Sequence, residues 1–151
     1  MAITTLVAQP SLAQSQAETG ETLVRKIEQL IQQARQYEQQ GKPLQALEIW
    51  QQLLAFAQQV KIRQLEAAML YSIGFVYSNI GQPQEALEYY NQALPIMREV
   101  NDRRGEATTL NNMGGVYSII GQPQQALNYF NQALPIQREA NDRGGGSNYA
   151  Q

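Results

Sequence analysis

Cysteine and histidine are both missing from all 151 residues. Without cysteine there is no disulfide, no thiol nucleophile and no thiolate ligand for zinc. Without histidine, the usual proton shuttle near neutral pH and the Ser-His-Asp arrangement are excluded. Charge is scarce as well. Eleven basic and thirteen acidic side chains give a net charge of -2, and only 16% of residues are charged, against about 25% in an ordinary globular chain. A nucleic acid therefore meets no basic field. No run reaches the roughly 20 apolar residues of a membrane span. Amide takes the place of charge, with 24 glutamines among the 151 residues.

The dominant pattern is internal repetition. Residues 81–103, GQPQEALEYYNQALPIMREVNDR, return at 121–143 as GQPQQALNYFNQALPIQREANDR, identical at 18 of 23 positions and offset by 40. A fainter copy, GKPLQALEIWQQLLAFAQQVKIR, occupies 41–63. The preceding stretches align too, placing Ala34, Gly74 and Gly114 in one register and Tyr37, Tyr77 and Tyr117 in another. This divides the chain into a leader (1–20), three repeats (21–60, 61–100, 101–140) and a Gly-rich tail (141–151).

Each repeat reads as two helices. Leu70, Ile73, Gly74 and Tyr77 recur at i, i+3, i+4 and i+7, which is one helical face. Gly81 suits a left-handed C-terminal cap, and Pro83 suits the first turn of a second helix. Ala86, Leu87, Tyr90, Ala93 and Leu94 form the second apolar stripe. Asp102 is placed to cap the helix that follows. Nothing alternates with period two over a strand's length, so the expected fold is all-α. Pro95 and Pro135 fall inside second helices, where a proline removes a backbone hydrogen bond at about 3 kcal/mol. A kink is expected at each, with the carbonyls of Asn91 and Asn131 turned to water or a side chain.

Both ends are different material. Ala2 to Ala8 is a short apolar run, and Ser11-Leu12-Ala13 fits a signal-peptidase site, but no basic residue precedes the run. A truncated secretory signal and an unstructured leader both fit these residues, which leaves the compartment open between cytoplasmic and extracytoplasmic. At the other end Gly144-Gly145-Gly146 opposes the start of a further helix and reads as flexible linker.

Gly74, Tyr77, Ala86, Tyr90 and Ala93 in repeat two, with Gly114, Tyr117, Ala126, Phe130 and Ala133 in repeat three, resemble the tetratricopeptide repeat. Repeat one supplies Ala34, Tyr37, Ala46 and Trp50, but departs with Leu53 where a small residue is usual. The resemblance covers about 120 residues. The 40-residue period is similar to a longer subclass found in spindle-orientation adaptors and bacterial arrays, some of which precede a larger effector domain. It implies an α-solenoid of three antiparallel helix pairs in a right-handed superhelix. It also implies a non-catalytic scaffold that binds a protein or peptide in a concave groove lined by the first helix of each pair.

The core positions are copied from repeat to repeat, whereas a stripe about 100° away on the first helices is not. That stripe is Ile31, Arg35 and Glu38 in repeat one, Tyr71, Phe75 and Ser78 in repeat two, and Asn111, Gly115 and Ser118 in repeat three. Aromatic Tyr71 and Phe75 at i, i+4 outside the core stripe are a candidate contact patch, or else pack against an adjacent first helix. Asn111 and Asn112 could hold an extended backbone through their amides. Arg35 could grip a carboxylate or pair with Glu38 one turn on. The candidate groove is therefore Ile31, Arg35, Tyr71, Phe75, Ser78, Asn111 and Asn112. The family's clamp for C-terminal carboxylates corresponds to Ile31, Arg35, Ser72, Thr108 and Asn112, and only Arg35 and Asn112 carry suitable chemistry, so a chaperone-tail clamp is not expected.

Chemistry is sparse elsewhere. Glu85 and Glu88 lie one turn apart, a spacing that can serve acid–base work. Repeat three has Gln125 and Asn128 there, and acids in a first turn more often favour the helix dipole. No cofactor or metal is expected. A second expectation concerns assembly: with no polar helix sealing repeat three, Leu127 and Leu134 beside Tyr129 would lie exposed and offer a homo-oligomer contact.

Overall fold

The computed structural model describes residues 20–145. They form six helices: α1 (Gly20–Gln39), α2 (Pro43–Gln59), α3 (Arg63–Asn79), α4 (Pro83–Glu99), α5 (Arg103–Ile119) and α6 (Pro123–Gly145). From Pro43 onward a helix begins every 20 residues, so each 40-residue unit is one helix pair. The pairs α1/α2, α3/α4 and α5/α6 stack in chain order, giving the expected solenoid.

The beat of 20 comes from one repeated turn. Gly41, Gly81 and Gly121 end the first helices at φ of 68°, 75° and 76°, and Lys61 and Asn101 do the same between repeats at 58°. After α3 the Gln82 N–H donates to the Tyr77 carbonyl at 2.9 Å and the Gly81 N–H to Ser78 at 3.2 Å. These two bonds satisfy carbonyls that the helix end would otherwise leave open. The expected cap is present, since Asp102 accepts from the Gly105 N–H at 2.9 Å. Ile62, one repeat earlier, offers no such bond.

Within a pair, the eighth residue of the first helix faces the aromatic on the second. A Cβ on Gly74 would lie 2.8 Å from Tyr90 Cε1 and 3.1 Å from the Ala86 carbonyl oxygen. On Gly114 it would lie 2.6 Å from Phe130 Cε1. Ala34, Ala46 and Ala86 are fully buried, and Ala126 nearly so. Trp50 is 2% exposed and Tyr90 0%. Tyr37, Tyr77 and Tyr117 are half-buried, and the latter two stack on Tyr89 and Tyr129 at 5.5 and 5.2 Å. Phe130, in the register of Trp50 and Tyr90, is packed differently. It is 40% exposed, because among the described residues no fourth pair covers it.

A polar ladder joins one repeat to the next. Buried Glu66 accepts from Gln58 of the preceding repeat at 3.3 Å and from Arg63 at 2.6 Å. Buried Glu106 accepts from Arg98 of the preceding repeat at 2.7 Å and is also held by Arg103. Arg63 and Arg103 reach 36 residues forward to Glu99 and Glu139. The two carboxylates around Arg63, those of Glu99 and Glu66, accept from its guanidinium and hold its charge firmly, and Arg63 in turn keeps the Glu99 carboxyl below its usual range.

α4 is continuous past its interior proline, and one expectation at a helix end needs revision. α4 runs unbroken through Pro95 to Glu99, so the proline does not end the helix. Asn91 and Pro95 are both exposed, which puts the freed carbonyl on the wet side. α6 continues to Gly145 instead of turning at Asn141, so the first five residues expected in the flexible tail are helical. The turn at Asn101 is held against the helix that folds back after it, and repeat three has no such helix among the described residues. Residues 1–19 of the leader and residues 146–151 lie outside those residues, while Gly20 begins α1.

The two glycines should respond differently to alanine, which itself favours a helix by about 1 kcal/mol. Gly74→Ala drives a methyl into an immobile buried ring and is expected to destabilise by about 1–3 kcal/mol. Gly114→Ala meets Phe130, which can swing outward, and should change stability by less than about 1 kcal/mol. Urea unfolding of both variants checks the order; equal losses would refute the explanation.

Candidate functional site

The first helices of the three pairs share one face, and that face holds a cleft of about 440 Å³. Its floor is apolar, with Ile31 from α1 and Leu65, Ala68, Met69 and Tyr71 from α3. Trp50 and Met97 reach it from beneath, out of α2 and α4. α5 closes the far side with Arg104, Gly105 and Thr108, next to the Asp102 cap. Arg35 and Arg104 therefore flank the floor from opposite helices.

Among the described residues four other guanidiniums are paired, whereas those on the rim are not. Arg25, Arg63, Arg98 and Arg103 all form ion pairs. Arg35 and Arg104 are exposed and have no carboxylate partner among the described residues. The Arg35–Glu38 pair weighed from spacing does not form. Glu38 instead accepts the Trp50 Nε1–H at 2.7 Å, which satisfies the indole where its ring enters the core. Arg35 is left facing the cleft.

Tyr71 is the best-positioned residue of the group. Its ring lies 6.2 Å from Phe75 and 5.9 Å from Tyr90, and its hydroxyl accepts from Asn112 Nδ2 at 2.9 Å. Burial pushes the Tyr71 phenol above its usual value, the Asn112 bond opposes this, and the Glu38 charge adds to the rise. At neutral pH it stays a neutral hydroxyl fixed to α5. Tyr90 beneath it is buried with no hydrogen-bond partner for its hydroxyl, and its phenol is raised further by the same burial.

Of the seven groove candidates, Ile31, Arg35 and Tyr71 line the cleft. Phe75 extends its edge, 37% exposed and stacked on Tyr71. Asn112 is committed to Tyr71 and braces α5 against α3. Ser78 and Asn111 are half-buried and do not line it. The cleft sits toward the N-terminal halves of α3 and α5, so its wall uses Ser72 and Thr108. Those two, with Ile31 and Arg35, are four of the five clamp positions the resemblance implies. The residues missed were Arg104, Leu65, Ala68 and Met69. A signal for Arg104 was present: it follows Arg103, and only one of two adjacent arginines can face Glu106.

The Tyr90 hydroxyl yields a test of this packing. Repeat three already has phenylalanine there, and removing an unsatisfied buried group is neutral or favourable. Tyr90→Phe should leave the thermal midpoint unchanged or raise it, by up to about 1 kcal/mol in stability. A loss above 1 kcal/mol would mean that the hydroxyl has a partner.

A family model for the tetratricopeptide repeat matches residues 26–99 and again 65–139. Many solved structures are similar, and two serve for comparison. The TPR domain of Arabidopsis FLU superposes with a TM-score of 0.70 at 16% identity, over 76% of this chain and 97% of that one. BtubC (BKLC) from P. vanneervenii gives a TM-score of 0.71 at 18% identity, over 84% of this chain and 51% of that one. At such identities these likenesses speak for the fold alone. No curated protein sequence matches the chain.

Proposed function

This chain is a member of the tetratricopeptide repeat family, whose fold generally mediates protein–protein interaction or scaffolding, and from that premise we propose that it binds a peptide or protein segment in the α1–α3–α5 cleft without catalysing a reaction. The observation that carries this is the pairing of an apolar floor with two unpartnered arginines across it. A ligand side chain desolvated on Ile31, Leu65, Met69 and Tyr71 would supply most of the affinity. Arg35 and Arg104 would select carboxylates on either side of that anchor, since a planar guanidinium takes a carboxylate in a two-point grip. The ligand class is therefore a segment with an apolar or aromatic anchor flanked by acids. Ser72 and Thr108 add neutral hydrogen bonds at the wall.

An enzyme acting through Glu85 and Glu88 has weaker support. Both are exposed on α4, and neither lines the cleft. Among the described residues no group of three or more acidic side chains could hold a metal ion, and no helix is long and apolar enough to cross a membrane.

A peptide-library screen on the wild type and two double variants tests the proposal. Tyr71→Ala/Phe75→Ala should lose about tenfold or more in affinity for every ligand recovered. Arg35→Ala/Arg104→Ala should lose the acidic ligands selectively, and its remaining binding should become insensitive to salt. Ligands held equally by all three proteins would remove the cleft assignment.

A further inference from the structure

The two ends of the stack differ in a way that the repeat register exposes. At the C-terminal end, Leu127 is 53% and Leu134 44% exposed. Their counterparts Leu47 and Leu94 are buried, and Leu54 and Leu87 partly so. With Phe130 they form an apolar stripe at i, i+3 and i+7 of α6. Arg138, one turn past Leu134 on the same side, is exposed and has no partner among the described residues. Its counterpart Arg98 donates to Glu106 at 2.7 Å. The register would put the next such glutamate at position 146, which is Gly146.

The internal seams define what fits this face. Across each, the incoming first helix brings a buried glutamate followed by residues three, seven and ten positions on. These are Glu66, Met69, Ile73 and Val76 in α3, and Glu106, Thr109, Met113 and Val116 in α5, all buried. In α1 the same four positions are Lys26, Gln29, Gln33 and Gln36, the last three exposed. An α1 from another copy would set Lys26 against Arg138 and bury three amides against leucine and phenylalanine.

We propose that the open face of α6 is a seat for a helix from another protein that carries a glutamate one turn ahead of an apolar stripe, and that the chain's own α1 is refused there. The apolar stripe supplies contact, Arg138 sets the register, and like charge plus buried glutamine prevents copies from threading head to tail. The seat lies on α6, apart from the cleft on the first helices, so either proposal can fail alone.

The test uses the full chain and a fluorescent peptide of residues 101–119, which presents Glu106 in its native register. Wild-type protein should bind it, and the Glu106→Lys peptide should bind about tenfold more weakly. Arg138→Glu in the protein should reverse that order. In a second arm, the wild type should sediment as a 16.9 kDa species at tens of micromolar. Lys26→Glu/Gln29→Met/Gln33→Ile/Gln36→Val should form concentration-dependent multimers that adding Arg138→Glu disperses. If the quadruple variant does not fold, the peptide arm decides alone. Equal affinity for both peptides, or no binding of either, overturns the proposal. So does a folded quadruple variant that stays monomeric, or a wild-type dimer abolished by Phe130→Glu, which would give the face to a second copy.

Discussion

Everything in this fold rests on how closely two backbones approach inside each helix pair. At Gly74 the ring of Tyr90 occupies the space where a side chain would begin, so the aromatic packs directly on helix backbone. That contact sets the distance between α3 and α4, and thereby the position of the leucines flanking Tyr90. Ala34 with Trp50, and Gly114 with Phe130, hold the same two positions in the other pairs. A solenoid needs this sameness, since each pair docks on the last and small differences would accumulate along the stack. The left-handed turn every 20 residues keeps the approach in phase.

A second layer fixes how the pairs meet. The carboxylates of Glu66 and Glu106 are buried at the seams, and each is met from both sides. A buried charge is tolerable only when matched in this way. The ladder adds directionality to the apolar contact, because it orders donor and acceptor along the chain. Residues freed from both duties, among them Arg35, Arg104 and Ser72, are those that vary between repeats and face the cleft.

Local pattern carried the helices well. Gly81 as a left-handed cap, Asp102 as an N-cap and the burial of Trp50 and Tyr90 all follow from neighbours a few residues away or one repeat along. The misses share a different origin. Phe130 stands where Tyr90 stands in a closely similar stretch, yet its exposure depends on a neighbour in space that the described residues do not include. Glu38 looked like a partner for Arg35 at one turn's spacing, but Trp50, 12 residues on, claims it. The glycines after Arg143 suggested an early stop, whereas α6 runs on to Gly145 with no following helix among the described residues to force a turn. Arg104 was legible only once Arg103 was seen to face Glu106.

The glutamines of α1 bear on how such a chain can lengthen over generations. Copying a 40-residue unit at the α6 end creates a matched seam at once, since glutamate, stripe and arginine all travel within the copied segment. Copying the first unit would bury Gln29, Gln33 and Gln36 against apolar neighbours and meet Gln58 with a lysine in place of a glutamate. Repeats two and three, alike at 18 of 23 positions over the stretch beginning at their second helices, have the look of such an event. A polar α1 and an apolar α6 face make this stack a one-way ruler, on which a copied unit finds its match at one side only.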